Sequence, residues 1–127
     1  MKMKKIILIL SIGFIAAIGI LFLIGYMLCK PEQIKVEKPS NIPFENIVIK
    51  SKSGSNLKGW KLEGLQKDGV IILFHSLRSN RSLMANRAKM LWENGYTVVL
   101  FDFQAHGESK GKRITFGYLE SKDVESI

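Results

Sequence analysis

Between Ile6 and Leu28 the chain reads IILILSIGFIAAIGILFLIGYML, apolar apart from Ser11 and without a single charge. At a rise of about 1.5 Å per residue, roughly 23 residues make about 35 Å of helix, enough to cross a ~30 Å hydrocarbon core with some tilt. A cleavable signal would show only ~7–15 apolar residues before a small-x-small site. Tyr26-Met27-Leu28-Cys29-Lys30-Pro31 offers no such site. Cys29 invites a lipoprotein reading, but Leu28 stands where a small residue is expected before it. The expectation is an uncleaved anchor over residues 6–29 behind a basic flank at 1–5; a processed or lipidated N-terminus is the alternative. Lys2, Lys4 and Lys5 precede the span, and Lys30, Lys35 and Lys38 lie after it. The compact basic N-terminus favours N-in, with the rest of the chain outside the cytoplasm.

The chain beyond the anchor is short. Residues 30–43, KPEQIKVEKPSNIP, hold all three prolines and mixed charge, and read as an extended linker lifting a domain off the bilayer. Residues 44–127 are then enough for one domain at most. The formal net charge of +8 raises nucleic acid as a partner. Yet lysines flank the anchor or alternate with acids, and no Lys/Arg run interleaves with aromatics as a single-strand binder needs. No nucleic-acid partner is expected; the bilayer is, through residues 6–29 and a basic surface near anionic headgroups. One cysteine allows no disulfide framework, and two distant histidines give no metal spacing, so neither a metal nor another cofactor is expected.

Within the domain, Phe44–Ile49 reads as a strand, Ser53–Asn56 as a turn and Leu57–Glu63 as a half-exposed hairpin partner. Gln66–Gly69 reads as a second turn. Val70–Phe74 is a continuous β-branched run, the signature of a strand covered on both faces. Leu83, Met84, Ala88, Leu91 and Trp92 fall at helical spacing, capped at Ser79 or Asn80 and stopped by Asn94-Gly95. Tyr96–Phe101 is again a buried strand. A hairpin and then strand, helix and strand imply an α/β sheet with a right-handed parallel crossover. Thr115–Ile127 begins a further helix. The strand pair is expected to leave an open edge.

Gly107-Glu108-Ser109-Lys110-Gly111 reads G-x-S-x-G, the pattern of a hydrolase nucleophile turn. That turn needs a strained bend lying directly between a buried strand and a helix, with the hydroxyl at the helix's positive end. Here Gln104-Ala105-His106 separate the strand from Gly107, and Lys112–Gly117 carries no helical apolar stripe. Ser109 is expected in a loop, hydrogen-bonded locally. The same stretch misses a phosphate loop by one residue of spacing and by Arg113 where Ser/Thr is required.

SGSNLKGWKLE, VIILFHSLRSNRS and NGYTVVLFDFQAHGESKGKRITFGYLESKDV together resemble the opening portion of an α/β-hydrolase-fold serine hydrolase. More narrowly, they are similar to membrane-anchored bacterial members related to the Bem46 and serine aminopeptidase-like groups. The segment from Asp102 to Ser109 matches that family's D-x-x-x-H-G-x-S loop, so Asp102, His106, Gly107 and Ser109 are implied to be structural. The resemblance also implies that His75 shapes an oxyanion loop in which the Leu77 backbone N–H is the donor. Ser76 departs from the glycine usual there. Arg78 and Arg81 are expected to be solvated or paired rather than to bind substrate, and His106 to brace its loop rather than act as base. The family order places nucleophile, acid and histidine beyond Ile127. The chain is thus expected to be the N-terminal part of an anchored hydrolase of small esters or amides. By itself it should show no esterase activity. The alternative is a non-catalytic, membrane-tethered interaction protein or truncated gene product.

Overall fold

The computed structural model describes residues 2–65 and 69–127, in two compact units, one ending at Lys30 and one spanning Pro31–Ile127. The first is a single helix, α1 (Lys2–Leu28), with no buried residue. It is long and apolar enough to cross a membrane. Its Ser11 hydroxyl turns back to donate to the Ile7 carbonyl at 2.9 Å, which satisfies the one hydroxyl of the apolar run before Tyr26 within the helix itself.

The second unit is built on a four-stranded mixed sheet. β2 (Glu45–Lys50) and β3 (Asn56–Leu62) form an antiparallel hairpin, closed by the Ser53–Ser55 turn with Gly54 at φ 89°. β3 then pairs antiparallel with β5 (Thr97–Phe101), and β5 pairs parallel with β4 (Val70–Phe74), giving the order β2-β3-β5-β4. The crossover from β4 to β5 runs through a short 3₁₀ turn (Arg81–Met84) and α2 (Ala85–Glu93). The spacing predicts one helix from residue 79 or 80. The first turn is 3₁₀ rather than α-helical, and its cap is Asn80, whose side chain accepts the Ser82 N–H at 3.0 Å. The turn expected at Gln66–Gly69 falls mostly on residues 66–68, outside the described residues.

Strand alternation sorts the core into two faces. Trp60, Leu62, Val98 and Leu100 pack on one face against Ala85 and Ala88 of α2, flanked by Leu73 and Leu91. Leu57, Val99 and Phe101 form a smaller cluster on the other, with Ile47, Ile49 and Phe74 beside them. Here the expectation for β4 needs correction. Val70–Phe74 is an edge strand open on the second face, with Val70 57% and Ile72 38% exposed. Its β-branched run resembles that of a doubly covered strand, but among the described residues α2 shields one face only.

The stretch expected as a linker is extended and also docked. β1 (Glu32–Gln33) pairs in parallel with β6 (His106–Gly107), a two-residue strand in the loop after β5. Val36, Ile42 and Phe44 are buried in the core, and the Phe44 ring stacks on Trp60 at 4.9 Å. Two apolar side chains among the prolines and charges, Val36 and Ile42, with Phe44 directly after them, anchor what composition alone reads as a spacer. The last element, α3 (Tyr118–Val124), comes after the loop of Lys110–Gly117.

Candidate functional site

Two loops leave the C-terminal ends of the parallel strands β4 and β5: residues 75–78 and 102–111. In open α/β sheets this is where ligands bind. His75 is buried at the first of these ends. Its Nε2 accepts the Phe103 N–H at 3.1 Å and its Nδ1 faces the Ser76 carbonyl at 2.7 Å. An acceptor role at Nε2 requires the proton to be on Nδ1, so the ring is neutral and donates to Ser76. Burial pushes its pKa below the ordinary histidine value, outweighing the Ser76 carbonyl, and the neighbouring His106 adds to the depression. The imidazole thus ties the two loops together, one nitrogen to each.

Leu77 comes next, half exposed, at the rim of a cleft of about 360 Å³ lined by Leu77, Phe103, His106, Phe116, Gly117 and Glu120. Among the described residues no acceptor meets the Leu77 N–H. Ser76 has no positive φ, so serine in place of glycine does not strain the loop; Arg78, at φ 56°, is the left-handed residue there. The Arg78 guanidinium pairs with Glu32.

The second loop is built on Asp102, which is fully buried. Its carboxylate accepts the Arg81 N–H at 2.7 Å, the Glu108 N–H at 2.9 Å and the Arg81 guanidinium. Gly107, at φ 50°, sits so close that a Cβ would fall on that carboxylate. This is a position only glycine fills. Arg81 is buried too, stacked 4.4 Å over the Trp60 ring and paired also with Glu108. The arginine beside Glu108 holds that carboxyl below its usual range, against the opposing effect of partial burial. Of the two arginines singled out by sequence, Arg81 is therefore engaged in structural pairing and does not line the cleft of Leu77 and Phe103.

Ser109 is fully buried. Its hydroxyl donates to the Asp102 carbonyl at 2.7 Å and accepts the Lys58 N–H at 2.9 Å. Residues 112–117 separate Gly111 from the start of α3 at Tyr118, so no helix receives the G-x-S-x-G turn. His106 is buried at the cleft wall, its ring 5.1 Å from His75. Its Nδ1 faces the Gln104 carbonyl at 2.9 Å, while Nε2 finds no partner among the described residues.

Sequence reasoning missed a second polar network. Asp123 accepts the Ser51 hydroxyl at 2.5 Å and the Gln104 N–H at 2.8 Å. Glu120 accepts from Thr115 Oγ1 (2.6 Å), Thr115 N (3.0 Å), Gly117 N (2.8 Å) and Gln104 Nε2 (2.7 Å). Burial alone would raise the Glu120 pKa, but these donors outweigh it and hold the group down to about 2. The available signal was Glu120 three residues past Gly117, half of a capping box. Among the described residues no cluster of His, Cys, Asp and Glu has the makings of a metal site.

No family model matches the chain. Among curated proteins it is similar to the uncharacterized protein YqkD of Bacillus subtilis (strain 168), 25% identical over 140 residues that take in 98% of this chain and 46% of that one. Among solved structures it is similar to the Pyrococcus furiosus esterase Pf2001, at 27% identity and TM-score 0.67 over 76% of this chain and 40% of the esterase. The fold is that of the α/β-hydrolases. A serine hydrolase homologue from Coxiella burnetii shares that α/β-hydrolase fold at 24% identity and TM-score 0.54, over 71% of this chain and 44% of its own. The chain thus spans less than half the length of each of these three proteins.

Proposed function

We propose that this chain is the N-terminal part of a membrane-anchored serine hydrolase and contributes its oxyanion loop. Its nucleophile, acid and catalytic histidine would come from sequence beyond Ile127. What supports the reading is Leu77, which follows the β4 strand end by three residues, lines the cleft, and has an N–H that meets no acceptor among the described residues. A carbonyl attacked in that cleft becomes tetrahedral and develops an oxyanion. A backbone N–H at about 2.7–3.1 Å from that oxygen stabilises it without reorganising, an effect on the order of 3–4 kcal/mol for one donor in a dry site. Leucine suffices, since only its amide acts. Phe103 and Phe116 give the cleft an apolar lining suited to the acyl or alkyl part of a small ester or amide. Ser109 is unsuited to attack because its hydroxyl already serves as both donor and acceptor inside the protein. Helix α1 would hold the molecule in the bilayer, N-terminus in the cytoplasm and sheet outside.

A fluorophosphonate probe, which phosphonylates activated serines, tests this directly. The full-length parent in detergent is expected to take up one label, and peptide mapping to find it outside residues 1–127. The 127-residue chain alone is expected to take up none. Label on Ser109 in either protein would overturn the assignment.

A further inference from the structure

Both loops that wall the cleft are held by one segment, the strap of residues 32–36 that begins four residues after α1 ends. Its main chain grips the second loop: Glu32 N–H donates to Ala105 O at 2.8 Å and Ile34 N–H to Gly107 O at 2.9 Å. Val36 N–H reaches Glu108 Oε1 at 3.4 Å, and Gln33 Nε2 spans Ser109 O and Gly111 O at 3.2 and 3.3 Å. Its one carboxylate in this stretch, Glu32, grips the first loop through the Arg78 guanidinium. Arg78 is also the residue at φ 56°, a conformation that a side chain with a Cβ resists. The loop therefore departs from its relaxed path immediately after Leu77, at the point where the strap holds it.

We propose that Glu32 is a positioning residue: by pairing with Arg78 it fixes the Leu77 N–H over the cleft, while the strap's backbone sets the 105–109 turn opposite. The use of that positioning in catalysis rests on the hydrolase reading; the positioning itself does not. Two physical kinds of grip are involved. The Glu32–Arg78 pair is part-exposed, with side chains 33% and 41% accessible, so salt screens it. The β1–β6 pairing is main-chain hydrogen bonding and is insensitive to salt.

The test is ¹⁵N relaxation on the full 127-residue chain in detergent micelles, which needs neither substrate nor triad and so reads out whether or not a serine is ever labelled. The wild type is expected to show rigid amides at Leu77 and Arg78, with order parameters of about 0.85. Glu32→Ala is expected to lower both toward about 0.6, leaving Val98–Leu100 of β5 unchanged. Glu32→Gln, which keeps an acceptor oxygen, is expected to lose less. The exchange Glu32→Arg with Arg78→Glu is expected to restore order, and 1 M salt to mimic Glu32→Ala at Leu77 while the Glu32 and Ile34 amides stay ordered. Unchanged values at Leu77 in Glu32→Ala, or an equal drop through β5, would overturn the proposal, as would failure of the charge exchange to restore order.

Discussion

Arg81 has a side chain only 4% exposed, set over the Trp60 ring and divided between Asp102 and Glu108. Such a group is stable only while its partners remain, because an ion removed from water recovers its lost hydration from the counter-charge. Arg81→Met would leave the Asp102 carboxylate buried without a cation. We expect a loss of about 3–5 kcal/mol in urea unfolding. The double change Arg81→Met with Asp102→Asn should cost clearly less than the two single changes added, since it removes the stranded charge. A loss below about 1 kcal/mol for Arg81→Met would show the pair to be energetically idle. His75 gives a different signature. Its folded pKa lies below the ordinary 6.5, so the unfolded chain binds the proton first as pH falls. Its contribution is fully present above 6.5 and is lost as pH falls from there toward the folded value. When the folded ring does gain a proton, below its depressed pKa, that proton must go to Nε2, facing the Phe103 N–H. The urea midpoint should therefore decline on acidification below 6.5, and His75→Gln, which keeps an acceptor, should flatten that limb. Sequence could place His75 at a strand end but could not choose its tautomer, because the Phe103 N–H that decides it lies 28 residues away.

Among the elements, the hairpin and the strand–helix–strand unit were legible because each carries a local signal: alternation, an unbroken apolar run, a 3.6-residue period. The strap was not. Its pairing partners, Ala105 and Gly107, lie about seventy residues downstream, and nothing within residues 30–43 announces them. The helix expected to begin within Thr115–Ile127 is α3; it is short, and its start is held by contacts that converge on one carboxylate. Glu120 is 8% exposed and receives four hydrogen bonds, from Thr115, Gly117 and Gln104. Its pKa is depressed from 4.5 to about 2, so its contribution is complete above 4.5 and disappears as pH falls from 4.5 to about 2. A shift of that size corresponds to roughly 3 kcal/mol at most. The expected outcome is an acid limb below pH 4.5, separate from the one His75 sets below 6.5. Thr115→Val, which removes the shortest of the four bonds, should move the Glu120 carboxyl titration upward by carbon-detected NMR. A titration left in place would mean that the Thr115 hydroxyl does not set it.

At the scale of the molecule, the fold class could be read because the α/β pattern and the D-x-x-x-H-G-x-S segment point to the same architecture. How far the sheet is covered could not, since an apolar run signals burial without saying by what. Val70 and Ile72 lie on one face of edge strand β4, exposed, beside a row of main-chain groups that no strand occupies among the described residues. An open apolar edge of this kind is a template for pairing with another chain. Opposing that is the net charge of +8, which repels like copies over about a Debye length, ~30 Å at 0.01 M salt but only ~8 Å at 0.15 M. The two effects have opposite salt dependence, and apolar contact prevails once the charge is screened. The 127-residue chain in detergent should therefore sediment as a monomer at low ionic strength and self-associate increasingly as salt is raised. Ile72→Lys puts a charge on the open face without touching the packed one, where Ile71 and Leu73 point, and should hold the chain monomeric at 0.15 M with an unchanged circular dichroism spectrum. Association that persists in that variant, or that weakens with salt, would place the contact elsewhere, on a surface held together by charge rather than by the edge of the sheet.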